Sequence, residues 1–259
     1  MPTHEQARNL ALRLHGLSGG PQILRKAAAR ELARYDPLDA NELIDHLISL
    51  ARSGWEPATH VLSAFVAALG MEASQIPYAD ELRRLAQVQS LPSVADLFAE
   101  GPARRELNAG AAAKADAKVF TQSLGHLKQQ ARLTRDPDVL SRLATVSNPA
   151  VVRNALINPR LTEPLVVRMA ARRPARPEPL VEIWKSSRWS ARHSVRRALV
   201  FNPYLPPEVG AKIVPLLNAT DLAELASDSS VHPSLREQAA RLLAQGLAGG
   251  ALVRPGRSG

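Results

Sequence analysis

The stretch NPAVVRNALINPRLTEPLVVRMAARR, residues 148–173, decides the fold. Two Asn-Pro pairs stand ten residues apart, and each opens an apolar segment broken by arginine. An Asn or Asp side chain caps a helix by accepting from its free N–H groups. A proline beside it has no N–H to leave unpaired and a preset φ. Each Asn-Pro or Asp-Pro therefore predicts a helix start. Asn158-Pro159 recurs 44 residues on as Asn202-Pro203, and Leu161, Leu165, Arg168 and Met169 are matched by Leu205, Val209, Lys212 and Ile213 at the same offset. Before each pair, VRNAL at 152–156 is matched by VRRAL at 195–199. His232-Pro233-Ser234-Leu235 is a weaker third copy, and Asp136-Pro137 begins an earlier half-unit. Short helices that cannot bury their own apolar face must stack on the next unit.

Outward from this stretch, helical periodicity continues and strand alternation does not appear. Pro21 opens a run with Leu24, Ala28, Leu32 and Tyr35 on one face. Asp39-Ala40-Asn41-Glu42 reads as a capping box ahead of Leu43, Ile44, Leu47 and Ile48. Pro57 begins a helix carrying Val61, Leu62, Phe65, Val66 and Leu69, expected to stop at Gly70. Helices of this length with short loops predict antiparallel helix pairs. Residues 88–118 have weak periodicity, two loop signals and an alanine-rich run at 109–117. After them, Phe120, Leu124, Leu127 and Ala131 predict a further helix. The expected organisation is an N-terminal set of helical repeats over 1–87, a connector over 88–118, a basic helical-repeat domain over 119–245 and a disordered tail over 246–259.

On these periods, residues 134–245 resemble an α-solenoid of the HEAT-like kind, and the short proline-started units are similar to leucine-rich repeat variant proteins. The resemblance implies an all-α superhelix of stacked helix pairs that serves as a binding scaffold. The variant family is associated with an iron–sulfur cluster. This chain has no cysteine, so that feature does not carry over, and disulfides, thiolate nucleophiles and zinc–cysteine sites are excluded with it.

The chain of 259 residues carries a net charge of +9. Residues 126–215 hold sixteen Lys/Arg against six Asp/Glu, and the remainder is close to neutral. Such a segment suits an anionic partner. Its densest part is EIWKSSRWSARHSVRR, residues 182–197, where two tryptophans stand among cations. The candidate partner-binding residues are Arg153, Arg168, Arg172, Arg173, Trp184, Lys185, Arg188, Trp189, Arg192, Arg196 and Arg197. Arg188, Arg192 and Arg196 form a stripe if one helix carries them. Trp184 shares a stripe with Leu180 and Ile183 and so also suits a core position; Trp189 suits a plug between units. The whole chain uses 27 arginines and only six lysines, a skew that equally fits a solvated surface.

None of the seven histidines falls in an HxxxH or HExxH spacing, and GxGxxG, GxxxxGKS and GxSxG are missing. The expectation is a non-enzymatic protein-interaction scaffold, cytoplasmic, with no cofactor, metal or small-molecule ligand, recruiting an acidic protein. The alternative is a nucleic-acid binder resembling the HEAT-like DNA glycosylases, which use aromatic and acidic residues on a concave face. No Asp occurs near Trp184 and Trp189, which weakens the enzymatic version. No segment approaches the roughly 18 apolar residues of a membrane span.

Overall fold

A computed structural model describes residues 1–17, 20–107, 123–144, 146 and 148–251. The alanine-rich run at 109–117, the first residues of the helix expected from Phe120 and the chain from 252 on lie outside the described residues. Every regular element among them is a helix: α1 (His4–His15), α2 (Pro21–Leu32), α3 (Pro37–Arg52), α4 (Glu56–Met71), α5 (Leu82–Val88), α6 (Pro92–Ala95), α7 (Leu124–Leu133), α8 (Pro137–Ala144), α9 (Pro149–Leu156), α10 (Glu163–Ala171), α11 (Pro177–Lys185), α12 (Ser187–Ser190), α13 (His193–Val200), α14 (Pro207–Ile213), α15 (Ala219–Ser227) and α16 (Pro233–Ala251). Single turns of 3-10 helix occur at Ala73–Gln75, Asp96–Phe98 and Val214–Leu216. No helix described is long and apolar enough to cross a membrane.

The chain forms two compact units. Unit 1 gathers Met1–Glu100, Ala211–Asp228 and the chain from Pro233 on; unit 2 comprises Gly101–Gly210 with Ser229–His232. In unit 1, α4 is the central helix and packs on α1, α2 and α3. Ala58, Val61, Leu62, Phe65, Val66 and Ala68 give it a buried face wider than one stripe. Its start follows a short loop in which Gly54 adopts φ +83°, a left-handed conformation that costs any residue with a Cβ. The returning segments complete the unit. Arg52 donates to the Leu217 carbonyl (3.0 Å), Arg241 forks onto Asp96 (2.7 and 2.8 Å), and Ser93 bonds Gln245 (3.0 Å).

Proline marks many of the helix starts, while the cap of α3 and the end of α4 depart from the expectation. Asp36, not Asp39, caps α3: its carboxylate accepts from Leu38 and Asp39 N–H, and Pro37 opens the helix. Gly70 does not stop α4, which continues to Met71, because one glycine costs only about 1 kcal/mol against a well-packed helix. Asp136-Pro137, Asn148-Pro149 and His232-Pro233 do open helices.

Asn158-Pro159 and Asn202-Pro203 do not open helices. Their helices begin later, at Glu163 and Pro207. Both asparagines are buried and do a different job. Asn158 Nδ2 donates to the carbonyls of Ala131 (2.9 Å) and Thr134 (3.1 Å), and its Oδ1 accepts from Arg160 N–H (2.8 Å). Asn202 Nδ2 donates to Ala170 (2.8 Å) and Arg172 (2.9 Å), and its Oδ1 accepts from Tyr204 N–H (3.0 Å). Each amide closes the free carbonyl end of the helix two elements or more upstream, α7 in one case and α10 in the other. The sequence repeat is thus a repeat of three-dimensional hydrogen bonding. It accompanies a pairing of helices that are not successive in the chain. α7 packs chiefly on α9 and α10 chiefly on α13. The asparagine after the second helix of each pair meets the carbonyl end of the first, so these partners, which are not successive in the chain, run in the same sense. At the start of the second pair, Glu163 meets Ser194; at its end, Arg173 reaches the Phe201 carbonyl.

Candidate functional site

The basic segment lies in unit 2, and each of its candidate residues can be placed from the helix that carries it. Arg153 projects from α9 and forks onto Glu182 of α11, Nε to Oε2 at 2.6 Å and an Nη to Oε1 at 2.9 Å. Lys185, one turn on along α11, approaches the same carboxylate at 3.8 Å. Glu182 is buried while Arg153 is 64% exposed. The Arg153 hydrogen bonds hold the Glu182 carboxyl below the ordinary glutamate range against the opposing effect of burial.

The run from Arg188 to Arg197 is not one helix. α12 ends at Ser190 and α13 begins at His193, so the four-residue spacing does not build a stripe. Arg188 lies over the Trp189 ring, 4.4 Å from its centre. Arg192 sits 3.8 Å from Glu163. Arg196 folds back to donate to the Ala191 carbonyl (2.9 Å), and burial lowers its pKa. Arg197 lies over the Phe201 ring at 4.7 Å. Arg173 bonds the Phe201 carbonyl. Arg168 and Arg172, on and just after α10, are exposed.

Both tryptophans are in the core. Trp184 and Trp189 are each 3% exposed. Trp184 takes the position its stripe with Leu180 and Ile183 predicts. Trp189 plugs the space beside α9 and donates its indole N–H to the Leu156 carbonyl (2.9 Å), which closes another helix end. Neither offers a ring face on which a base could stack.

Sequence reasoning missed Glu182 and Glu163 as the groups that organise the arginines. Glu182 lies 29 residues from Arg153, and nothing in local spacing pairs them; its position beside Ile183 and Trp184 on a buried turn was the available signal. Among the described residues no three His, Cys, Asp or Glu gather as a metal site. No family model, curated protein or solved structure matches the chain.

Proposed function

We propose that the chain is a non-enzymatic interaction scaffold, an α-solenoid-like stack of helical repeats whose basic unit recruits an acidic protein. The observation that carries this reading is uncompensated charge. Residues 126–215 hold ten more cations than anions, and several of the carboxylates there are engaged within the fold. Asp136 caps α8, Glu163 faces Arg192 and Ser194, and Glu182 is held by Arg153 and Lys185. Exposed arginines such as Arg168 and Arg172 are left to the solvent side. Arginine forks match carboxylates in two-point geometry, as the Arg153–Glu182 pair does internally. The matched Asn158 and Asn202 bonds support the repeat reading, because each fixes equivalent helix ends in successive units.

Burial of Trp184 and Trp189 disfavours recognition of splayed bases, so a protein partner is preferred to a nucleic acid. Fluorescence anisotropy with an acidic polypeptide probe (polyglutamate) and with a DNA duplex, each across a salt series, tests the choice. The expected result is polyglutamate binding that Arg168→Glu with Arg172→Glu abolishes. The Arg172 side chain can be changed without touching the Asn202 bond, which uses its backbone carbonyl. Tighter duplex binding with a log–log salt slope near roughly −0.9 per phosphate contacted would transfer the function to nucleic acid. Binding to neither probe would remove the basic surface as a recognition element.

A further inference from the structure

His15 lies at the end of α1 and His60 in the second turn of α4, and the two helices pack together in unit 1. Their Nδ1 atoms stand 3.0 Å apart, and the rings are perpendicular with centres at 5.1 Å. Both side chains are exposed. As a hydrogen bond, the contact needs one ring to carry its proton on Nδ1 and the other on Nε2. The same placement brings two ring nitrogens from different helices together at the surface.

We propose that His15 and His60 form a two-imidazole chelate for Cu2+. Metal–imidazole bonds of about 2.0 Å at a right angle place two nitrogens roughly 2.8–2.9 Å apart, whereas tetrahedral coordination separates them by roughly 3.3 Å. The observed 3.0 Å lies between these values, so a small side-chain rotation lets both nitrogens reach one ion. Right-angled N,O coordination is the preference of Cu2+ and Ni2+, and Cu2+ binds imidazole more tightly along the first-row series. Solvent oxygens complete the coordination. Glu56, one turn before His60 on α4, adds negative charge on the same helix. Binding moves the shared proton from Nδ1 to Nε2 of its own ring through solvent, so a neutral pair takes up the metal with no net proton release. The second histidine pair shows no such close approach of ring nitrogens. His4 and His46 have ring centres 5.6 Å apart, and His46 Nε2 faces the Pro2 carbonyl at 3.2 Å.

The chelate joins α1 to α4, so the metal stabilises the folded state by mass action. Titration of the full chain with glycine-buffered Cu2+, followed by electron paramagnetic resonance and thermal unfolding, tests the site. A tetragonal spectrum with two imidazole nitrogens and a Cu2+-dependent rise in Tm are expected. His15→Ala and His60→Ala should each weaken binding roughly tenfold or more and abolish the rise, while His4→Ala leaves both unchanged. His60→Gln keeps a polar group of similar reach and guards against a variant that fails to fold. Copper binding and Tm shifts unaltered in His15→Ala and His60→Gln, or tighter binding of Zn2+ than of Cu2+, would overturn the proposal.

Discussion

The Asn202 amide closes two carbonyls and accepts one N–H, and the residue is 2% exposed. Replacing it with alanine leaves these partners buried and unpaired. We expect Asn202→Ala to destabilise unit 2 by about 1–3 kcal/mol, measured as a lower urea midpoint. Asn202→Asp should be worse at neutral pH, because a carboxylate would face two carbonyl oxygens. The pair Asn-Pro was legible as repeat punctuation but not as a staple, since a cap and a staple share the same two letters. The distinguishing signal lies downstream. Thr162-Glu163-Pro164 and Pro206-Pro207 each mark a second, true helix start, whereas no such restart follows Asn148-Pro149 within its helix. Trp184 was legible because its apolar neighbours lie on its own helix. Glu182 was not, because its partner Arg153 is distant in sequence.

The Arg153–Glu182 fork is the clearest bond between elements, joining α9 to α11. Because the folded Glu182 carboxyl is held below its ordinary range, the unfolded chain binds protons first as pH falls. The contribution is therefore complete above the ordinary glutamate range and is lost as pH falls through the folded value. Arg153→Ala removes the cation and leaves a buried carboxylate facing only the more distant Lys185. The expected loss is about 1–2 kcal/mol at neutral pH, toward the low end because Arg153 is largely exposed. The gap between variant and parent should narrow steadily as the solution is acidified below the ordinary glutamate range, and urea unfolding across that series measures it. At this scale the sequence marked helices well, since capping and proline chemistry are local. Which helices pair was not legible. The same-sense partners α10 and α13 are separated by α11 and α12, and their contact depends on tertiary geometry rather than on either helix's own period.

At the scale of the molecule, unit 1 is built from both ends of the chain. Asp96 is held by Arg241, Ser93 by Gln245, and the Leu217 carbonyl by Arg52. A chain ending at Asp228 loses α16 and with it the Arg241 and Gln245 bonds. We expect it to unfold unit 1 at lower denaturant, reported by Trp55 in a chain whose two other tryptophans are replaced by phenylalanine. An unchanged Trp55 transition would mean that the first hundred residues hold together without α16. Charge imbalance along the chain was legible by counting, but the return of 211–228 and α16 to the N-terminal helices was not, because no periodicity encodes long-range docking.

That discontinuity sets an order of events on the ribosome. The first hundred residues emerge with the surfaces that later receive Gln245 and Arg241 still bare, and about 110 residues of unit 2 are made before their partners begin to appear. At synthesis rates of roughly 5–20 residues per second, the wait is on the order of ten seconds. The middle of the chain can settle while its beginning stays open, so nascent-chain holding factors should engage the early helices and let go only when the last one arrives.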